Sequence, residues 1–259
     1  MIEQQAKAAF QAAIAQRKIP RFLYKYTSVE NCLYMINDGT LYFADYHTFN
    51  DPFECKAVID TKNTEAEWYK FLLQNGVSIL EASILAKKIS SDPIRAENDV
   101  KRIIQENQDT TGFLCLTAKR DNLLMWAHYA NQHEGCCVKL DILNDVNLFY
   151  RIKAVVYDNN YIHYNYLQNN GGAFETICHK SKEWEYEEEY RVLSFNQIGV
   201  KLMQPGTLKE IYLGCRMNDD DKNKILAAVD RTTKQPGIEV FQTMPDDQSY
   251  KLNYIKISH

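Results

Sequence analysis

The hydrophobic pattern at the start of the chain is helical. Residues 3–18 carry apolar side chains at helical spacing, which predicts a helix. This helix makes up the N-terminal segment 1–20, and Pro20 ends it. Residues 21–26 predict a strand. The pattern Thr27-Ser28-Val29-Glu30 is a capping box, so a second helix is predicted directly after that strand.

A helical insertion is predicted between residues 64 and 108. Thr64 and Glu67 form another capping-box pattern, and Pro93 suits the first position of a helix. The predicted helices cover residues 64–76, 78–90 and 93–108. Because their polar residues form no unusual cluster, we interpret the segment as an insertion packed on a sheet.

From Thr111 onward the pattern changes to strands with helices between them. The predicted strands are Gly112–Ala118, Cys136–Ile142, Lys153–Tyr157, Glu187–Phe195, Glu210–Leu213, Ile238–Thr243 and Tyr250–Ile257. The predicted helices are Asn122–His133, Phe174–Trp184 and Asn218–Asp230. Regular alternation of strand and helix is missing, and so is any linker. The pattern therefore predicts an α+β fold with mixed or antiparallel sheets, in a single domain of residues 1–259.

Composition and charge exclude several classes of protein. The formal net charge of −4 argues against a broad nucleic-acid-binding face. No apolar run approaches the roughly 20 residues that cross a membrane, and the N-terminus has no signal-peptide pattern. The seven cysteines include no Cys-x-x-Cys pair, which favours reduced thiols in the cytoplasm and gives no zinc-ligand spacing. We expect a cytoplasmic protein with no metal and no membrane partner.

The unusual polar residues gather in three blocks, of which the first is Leu23–Glu54. Alternation places Tyr24 on one face of its strand and Lys25 on the other. Asn50 and Asp51, before Pro52, form a rigid polar loop that could grip a hydroxyl or a ribose. The alternative is a turn whose side chains bond their own backbone. A strand, Phe53–Asp60, is predicted to follow.

The second block is Trp126–Gly135. In a helix, Trp126 and Tyr129 share one face, and His128 lies on a neighbouring face. Trp and Tyr can stack on a flat heterocycle, and His can donate to a phosphate or a carboxamide. The alternative is an amphipathic helix whose aromatic stripe belongs to the core.

The third block is Trp184–Arg191. If it is a strand, Glu185, Glu187, Glu189 and Arg191 lie on one face. Neighbouring carboxylates repel each other unless a cation or a ligand relieves them. Such a carboxylate row can stabilise the oxocarbenium centre that forms when a glycosidic bond breaks. The alternative is a structural Glu–Arg pair on an edge strand.

The three blocks together resemble the bacterial family known as domain of unknown function 2971. The residues that carry the resemblance are Leu23–Tyr26, Phe49–Glu54, Met125–Ala130 with Gly135, Trp184 with Glu187 and Glu189–Arg191, and Ile211–Gly214. The resemblance runs from residue 21 to about residue 245. It implies a bacterial origin and no particular reaction, because the family is uncharacterised.

The layout is also similar, more weakly, to ADP-ribosyltransferase-like domains, which include DNA-modifying toxins. This resemblance implies that NAD is a substrate and that Tyr24 or Lys25 grips it, with His128 or Tyr129 in a second binding role. It implies that Glu189 is the catalytic carboxylate, and that Glu187 is the first member of a Glu-x-Glu pair. Trp126, Asn50, Asp51 and Arg191 complete the candidate NAD-binding set.

Three functions remain open from the sequence. The first is an NAD-consuming transferase in defence or as a toxin, with a protein or a nucleic acid as acceptor. The second is a non-catalytic module that binds a nucleotide or the end of a nucleic acid. The third is a metal-dependent nuclease, which needs Asp51, Glu187 and Glu189 to meet at one point.

Overall fold

The computed structural model describes residues 2–168 and 172–257. The chain divides into two compact units. Unit 1 contains the residues up to Ala44, the segment Gly112–Val155 and the residues from Glu185 onward. Unit 2 contains Asp45–Thr111 and Val156–Trp184. Each unit is therefore built from chain segments that are separated in the sequence.

The helices and strands follow each other without regular alternation. The helices are α1 (Ile2–Ala15), α2 (Val29–Asn37), α3 (Glu65–Gln74), α4 (Ile79–Ser91), α5 (Pro93–Asp109), α6 (Leu123–Tyr129), α7 (Val146–Phe149), α8 (Gly172–Ile177) and α9 (Asp219–Arg231). Short 3₁₀ helices cover Tyr46–Thr48 and Lys182–Glu187.

The strands are β1 (Phe22–Thr27), β2 (Thr40–Phe43), β3 (Ala57–Asp60), β4 (Gly112–Thr117), β5 (Cys136–Asp141), β6 (Ile152–Ala154), β7 (Val156–Asp158), β8 (Ile162–Asn165), β9 (His179–Ser181), β10 (Glu189–Ser194), β11 (Gly199–Leu202), β12 (Leu208–Leu213), β13 (Glu239–Pro245) and β14 (Leu252–Lys256).

Unit 1 is organised around one large mixed sheet. Its strands lie in the order β14-β13-β12-β5-β1-β4-β10-β6. The pairing of β12 with β13 is parallel, and the other neighbours in this order pair antiparallel. A sheet of this kind combined with helices outside any βαβ repeat is an α+β fold, so the predicted fold class is confirmed.

The central strand β5 is buried on both of its faces. Cys136, Val138 and Leu140 point into one apolar cluster, which also contains residues of α2 and α9. Cys137 points into a second cluster, where Tyr26 and Trp126 surround it. Cys136 and Cys137 therefore lie on opposite faces of the sheet, because successive side chains of a strand alternate.

Unit 2 contains the three predicted helices of the insertion and two short parallel strand pairs. Strand β3 pairs with β8, and β7 pairs with β9. Helices α3, α4 and α5 confirm the predicted helical insertion. The backbone N–H of Thr64 donates to Glu67 in the predicted capping box, and Pro93 begins α5. Trp68, Val100 and Ile104 form the apolar core of this unit with Tyr164.

Three predicted boundaries are wrong for physical reasons. The predicted helix Phe174–Trp184 is instead α8 followed by β9, because pairing with β7 overrides the local helical pattern. The strand predicted from Phe53 begins only at Ala57, because Cys55 has a φ of 59°. The helix predicted to reach His133 ends at Tyr129, since Asn131, Gln132 and His133 all have positive φ angles.

Among the described residues, no helix combines the length and the apolar character that crossing a membrane requires.

The loop after α6 is held by a close approach of backbones at Gly135. A Cβ added there would lie 2.3 Å from the carbonyl oxygen of Thr27 and 3.0 Å from the carbonyl carbon of Ala130. The N–H of Gly135 donates to the Ala130 carbonyl at 2.8 Å, and the N–H of Gly214 donates to the Gly135 carbonyl at 2.8 Å. Glycine at position 135 thus fixes where α6 sits beside β1.

We expect Gly135→Ala to destabilise unit 1 by about 3 kcal/mol, because the new methyl group must displace backbone atoms. The control is Gly237→Ala, where φ is 74° and nothing lies within 4 Å of the added Cβ. Backbone strain alone is expected to cost about 1–2 kcal/mol there. Urea unfolding measures both, and equal losses in the two variants would contradict the close approach.

Candidate functional site

A hydrogen bond in unit 1 joins the second block to the third. The hydroxyl of Tyr129, at the end of α6, donates to Oε1 of Glu187 at 2.6 Å. Helix α6 begins at this place because the side chain of Asn122 accepts hydrogen bonds from the first free N–H groups, at Leu124 and Met125. Glu187 ends the 3₁₀ helix and is 2% exposed. A buried carboxylate is therefore held by a phenol from a different element.

The predicted carboxylate row on one strand face is wrong. Glu185 and Glu187 lie in the 3₁₀ helix, and Glu188 has a φ of 43°, so the strand begins only at Glu189. The backbone N–H of Glu188 donates to the Glu185 carbonyl, and the Thr117 hydroxyl donates to the Glu187 carbonyl at 2.5 Å. These bonds stabilise the turn, so alternation does not extend back from Glu189 to Glu187.

Glu189 and Arg191 do share a strand face, and they form a buried ion pair. Nε and Nη2 of Arg191 donate to the two carboxylate oxygens of Glu189, both at 2.9 Å. Arg191 is 0% exposed and Glu189 is 5% exposed. This bidentate ion pair neutralises the charge of the Glu189 carboxylate inside the protein.

The first block joins the other two across the sheet. Tyr24 of β1 lies opposite Thr117 of β4, and Thr117 lies opposite Glu189 of β10. Residues that face each other on neighbouring antiparallel strands point to the same side, so these three form a transverse row. The half-buried position of Tyr24 raises the pKa of its phenol. Residues from all three blocks thus meet on one face of the unit 1 sheet.

Lys25 makes a contact that the alternation pattern does not predict. It lies opposite Val138 in the register of β1 with β5, and its Nζ donates to the Cys115 carbonyl at 3.3 Å. Burial lowers the pKa of the Lys25 ammonium. Burial, reinforced by the Glu189 carboxylate, raises the pKa of the Cys115 thiol well above its ordinary value, so that thiol is neutral at pH 7.

The remaining residues of the second block differ in exposure. His128 is exposed, and its ring centroid lies 6.2 Å from that of Tyr129 and 6.5 Å from that of Tyr186. Trp126 is fully buried and packs edge-on against Tyr26, and its indole N–H donates to the Arg120 carbonyl at 2.9 Å. Trp126 therefore packs in the core, while His128 is accessible from solvent.

Asn50 and Asp51 belong to unit 2. Oδ1 of Asp51 accepts a hydrogen bond from the Phe53 N–H at 2.8 Å, as expected for a turn whose side chain bonds its own backbone. Asp51 is 6% exposed, and within the described part of the chain its Oδ2 atom has no hydrogen-bond partner. Asn50 is exposed.

Arg120 is a residue of this region that the sequence patterns did not reveal. Its guanidinium lies 4.6 Å from the ring centroid of Tyr254 and 4.9 Å from that of Tyr212, and it donates to the Tyr212 hydroxyl. Tyr24 packs on Tyr212 with ring centroids 6.4 Å apart. Burial raises the pKa of Tyr254 to about 12. No local motif marks Arg120, because its partners lie on strands far along the chain.

Across the described ranges, 2–168 and 172–257, no group of three or more His, Cys, Asp or Glu side chains is placed to hold a metal ion.

One known protein family matches the segment that holds the second and third blocks. The family model described as "Protein of unknown function (DUF2971)" matches residues 125–192. The match confirms the resemblance to that family over the part of the chain that holds Tyr129, Glu187, Glu189 and Arg191. The comparison with curated proteins found no match, and neither did the comparison with solved structures.

We expect Arg191→Met to cost about 3–5 kcal/mol of stability, because it leaves the Glu189 carboxylate buried without its ion-pair partner. The double variant Glu189→Gln/Arg191→Met is expected to recover most of that loss. Lys256→Met is the control, since the side chains of Lys256 and its partner Glu239 are both exposed and such pairs contribute about 0–1 kcal/mol. Unfolding in denaturant tests all three, and a double variant no more stable than Arg191→Met would refute the pairing.

The buried Lys25 ammonium predicts a pH dependence. Its pKa is lower in the folded state than the ordinary value of 10.5, so the unfolded chain binds more protons between those two values. The burial cost is fully present below the folded-state pKa, falls as the pH rises from that pKa to 10.5, and is absent above 10.5. Wild-type stability relative to Lys25→Met should therefore increase as the pH rises from neutral towards 10.5. A difference that stays constant over that range would count against burial of the charge.

Proposed function

We propose that unit 1 binds NAD or a closely related nucleotide and transfers its glycosyl group. The observation that carries this proposal is the 2.6 Å bond between Tyr129 and Glu187, because it joins two blocks inside the family-matched segment around a buried carboxylate. In the reaction, the bond between ribose C1′ and the nicotinamide nitrogen breaks, and nicotinamide leaves with the electron pair. The acceptor's nucleophile then bonds to C1′ and gives its proton to solvent.

Glu187 suits the catalytic role better than Glu189. Both oxygens of Glu189 accept hydrogen bonds from the positive Arg191, which cancels the charge that an oxocarbenium centre needs beside it. In this proposal the hydroxyl of Tyr129 orients the Glu187 carboxylate through the hydrogen bond that it donates. In this proposal Glu189 and Arg191 are positioning residues that hold the start of β10, next to the turn that carries Glu187.

The nucleotide would be held by residues of the same sheet face and of α6. Tyr24 offers a half-buried ring in the transverse row, and His128 offers an accessible imidazole beside Tyr129. Arg120 adds a cation suited to the pyrophosphate. The acceptor, a protein or a nucleic acid, and a role as a toxin or in defence belong to the same proposal. Their support is the resemblance to ADP-ribosyltransferase-like toxins.

A second candidate is a module that binds the nucleotide without consuming it. The observation that favours this candidate is the burial of both carboxylates, since Glu187 is 2% and Glu189 is 5% exposed. In a binding module, the Tyr129 and Arg191 contacts would stabilise the fold. The C1′ atom of the bound ribose would then contact no charged group. Release of nicotinamide distinguishes the two candidates.

We expect the full-length protein to release nicotinamide from NAD, and Glu187→Gln to lower the rate at least about 100-fold, the scale on which one preorganised electrostatic group acts. Tyr129→Phe, which removes the donor to Glu187, should cause a smaller loss. The measurement is chromatographic detection of nicotinamide, with NAD affinity followed by calorimetry.

Glu185→Gln is the matched control. Glu185 is exposed in the same 3₁₀ helix, and its substitution removes the same charge. It should retain the wild-type rate. If Glu187→Gln turns NAD over as fast as Glu185→Gln does, the assignment of Glu187 is wrong. If the wild-type protein binds NAD without releasing nicotinamide, the non-catalytic module is the correct function.

A further inference from the structure

Unit 2 contains a cavity that the proposed function does not use. Its volume is about 420 Å³, within the roughly 300–1,000 Å³ typical of small-molecule pockets. It is lined by the turn before β3, by β9, and by the loop that leads from β7 into β8. Every lining residue belongs to unit 2, so the cavity is independent of Glu187 and its neighbours.

Nitrogen-bearing side chains supply most of the polar lining. Lys56, His163, His179 and Lys180 all line the cavity. Lys180 is buried, and its Nζ lies 2.9 Å from Oε1 of Glu54 and 4.6 Å from the centroid of the Trp184 ring. Because a buried ion pair holds the Lys180 ammonium in place, it forms a fixed element of the lining. Lys56 is exposed and can turn towards a ligand.

Two aromatic rings on the same lining are exposed to an unusual degree. Phe53 is 61% exposed and Tyr161 is 42% exposed. The Lys56 ammonium lies 5.4 Å from the Phe53 ring centroid. Most of the Phe53 side chain remains in contact with water, and it would gain from stacking on a flat ring, such as a nucleic acid base.

Asp158 adds a carboxylate to the cavity lining. Oδ1 of Asp158 accepts a hydrogen bond at 2.8 Å from the backbone N–H of Asn160, and that bond lowers the pKa of the carboxyl group. Asp158 is therefore ionised at neutral pH. A carboxylate repels a phosphate, but it accepts hydrogen bonds from ribose hydroxyls, as acidic residues do in dinucleotide-binding folds. In the β7–β9 pair it lies opposite Ser181, which also lines the cavity.

We propose that this cavity binds a nucleoside 5′-phosphate. The base stacks on Phe53 and Tyr161, the ribose hydroxyls bond to Asp158, and the phosphate meets Lys56 and the two imidazoles. The ligand is either a free nucleotide or the phosphorylated end of an oligonucleotide, because both present the same three groups.

The test is calorimetric titration of the full-length protein with AMP, adenosine and inorganic phosphate. We expect AMP to bind to one site per chain, and the other two compounds to bind at least about tenfold more weakly, because each offers only part of the ligand. Lys56→Gln and Phe53→Ala should each weaken AMP binding about tenfold, the scale of one charge-assisted hydrogen bond or one base stack. Both residues are exposed, so the variants are expected to fold.

Lys70→Gln is the matched control. Lys70 is exposed on α3 and lies outside the cavity lining, and its substitution removes the same charge. A single-stranded oligonucleotide, compared with and without a 5′-phosphate, identifies the source of the ligand. Lys180 is kept in all variants, because its removal would break the buried ion pair with Glu54.

The Glu187→Gln variant separates this site from the proposed NAD site in unit 1. AMP binding that persists in Glu187→Gln and weakens in Lys56→Gln supports the cavity, whether or not NAD is turned over. AMP binding that Lys56→Gln and Phe53→Ala leave unchanged overturns it. Failure of AMP and of both oligonucleotides to bind at millimolar concentration also overturns it, and leaves the proposal for unit 1 standing.

Discussion

The cost of burying charge in a sheet covered on both faces determines the arrangement of the unit 1 site. Strand β5 has apolar clusters on either side, and Glu189 and Arg191 of β10 are buried, so these charged groups meet little water. Each such group has a specific partner. Arg191 grips Glu189 with two hydrogen bonds, Tyr129 donates to Glu187, and Lys25 donates to a carbonyl of β4. The positions of the polar residues in the three blocks therefore depend on giving each buried charged group a hydrogen-bond or ion-pair partner.

Local patterns were sufficient for the parts of the fold that local forces control. The helical insertion, its capping box at Thr64 and the alternation of Cys136 with Cys137 were all predictable, because side-chain periodicity and caps act within a few residues. The α+β class followed from the order of those elements. The family resemblance was recognisable from the same blocks that the family model matches in part.

The rest required long-range information. Strand β9 forms because β7 offers it a partner, and no helical or strand period within Phe174–Trp184 reveals that pairing. The spacing of Glu187 and Glu189 predicted a shared face, yet the left-handed conformation of Glu188 breaks the alternation between them. Arg120 was missed because Tyr212 and Tyr254, the rings that surround it, are remote in sequence. Each of these features depends on contacts that only the folded chain brings together.

The division of each unit into separate chain segments has a consequence for synthesis on the ribosome. Strand β3 is made early, but its partner β8 lies about a hundred residues later, beyond the whole second segment of unit 1. Strand β4 likewise waits for β10 before both of its edges are covered. The nascent chain must therefore expose unpaired strand edges over a long stretch of translation, a condition in which partly folded chains are prone to associate. Neither unit can complete its strand pairing until most of the chain has been made.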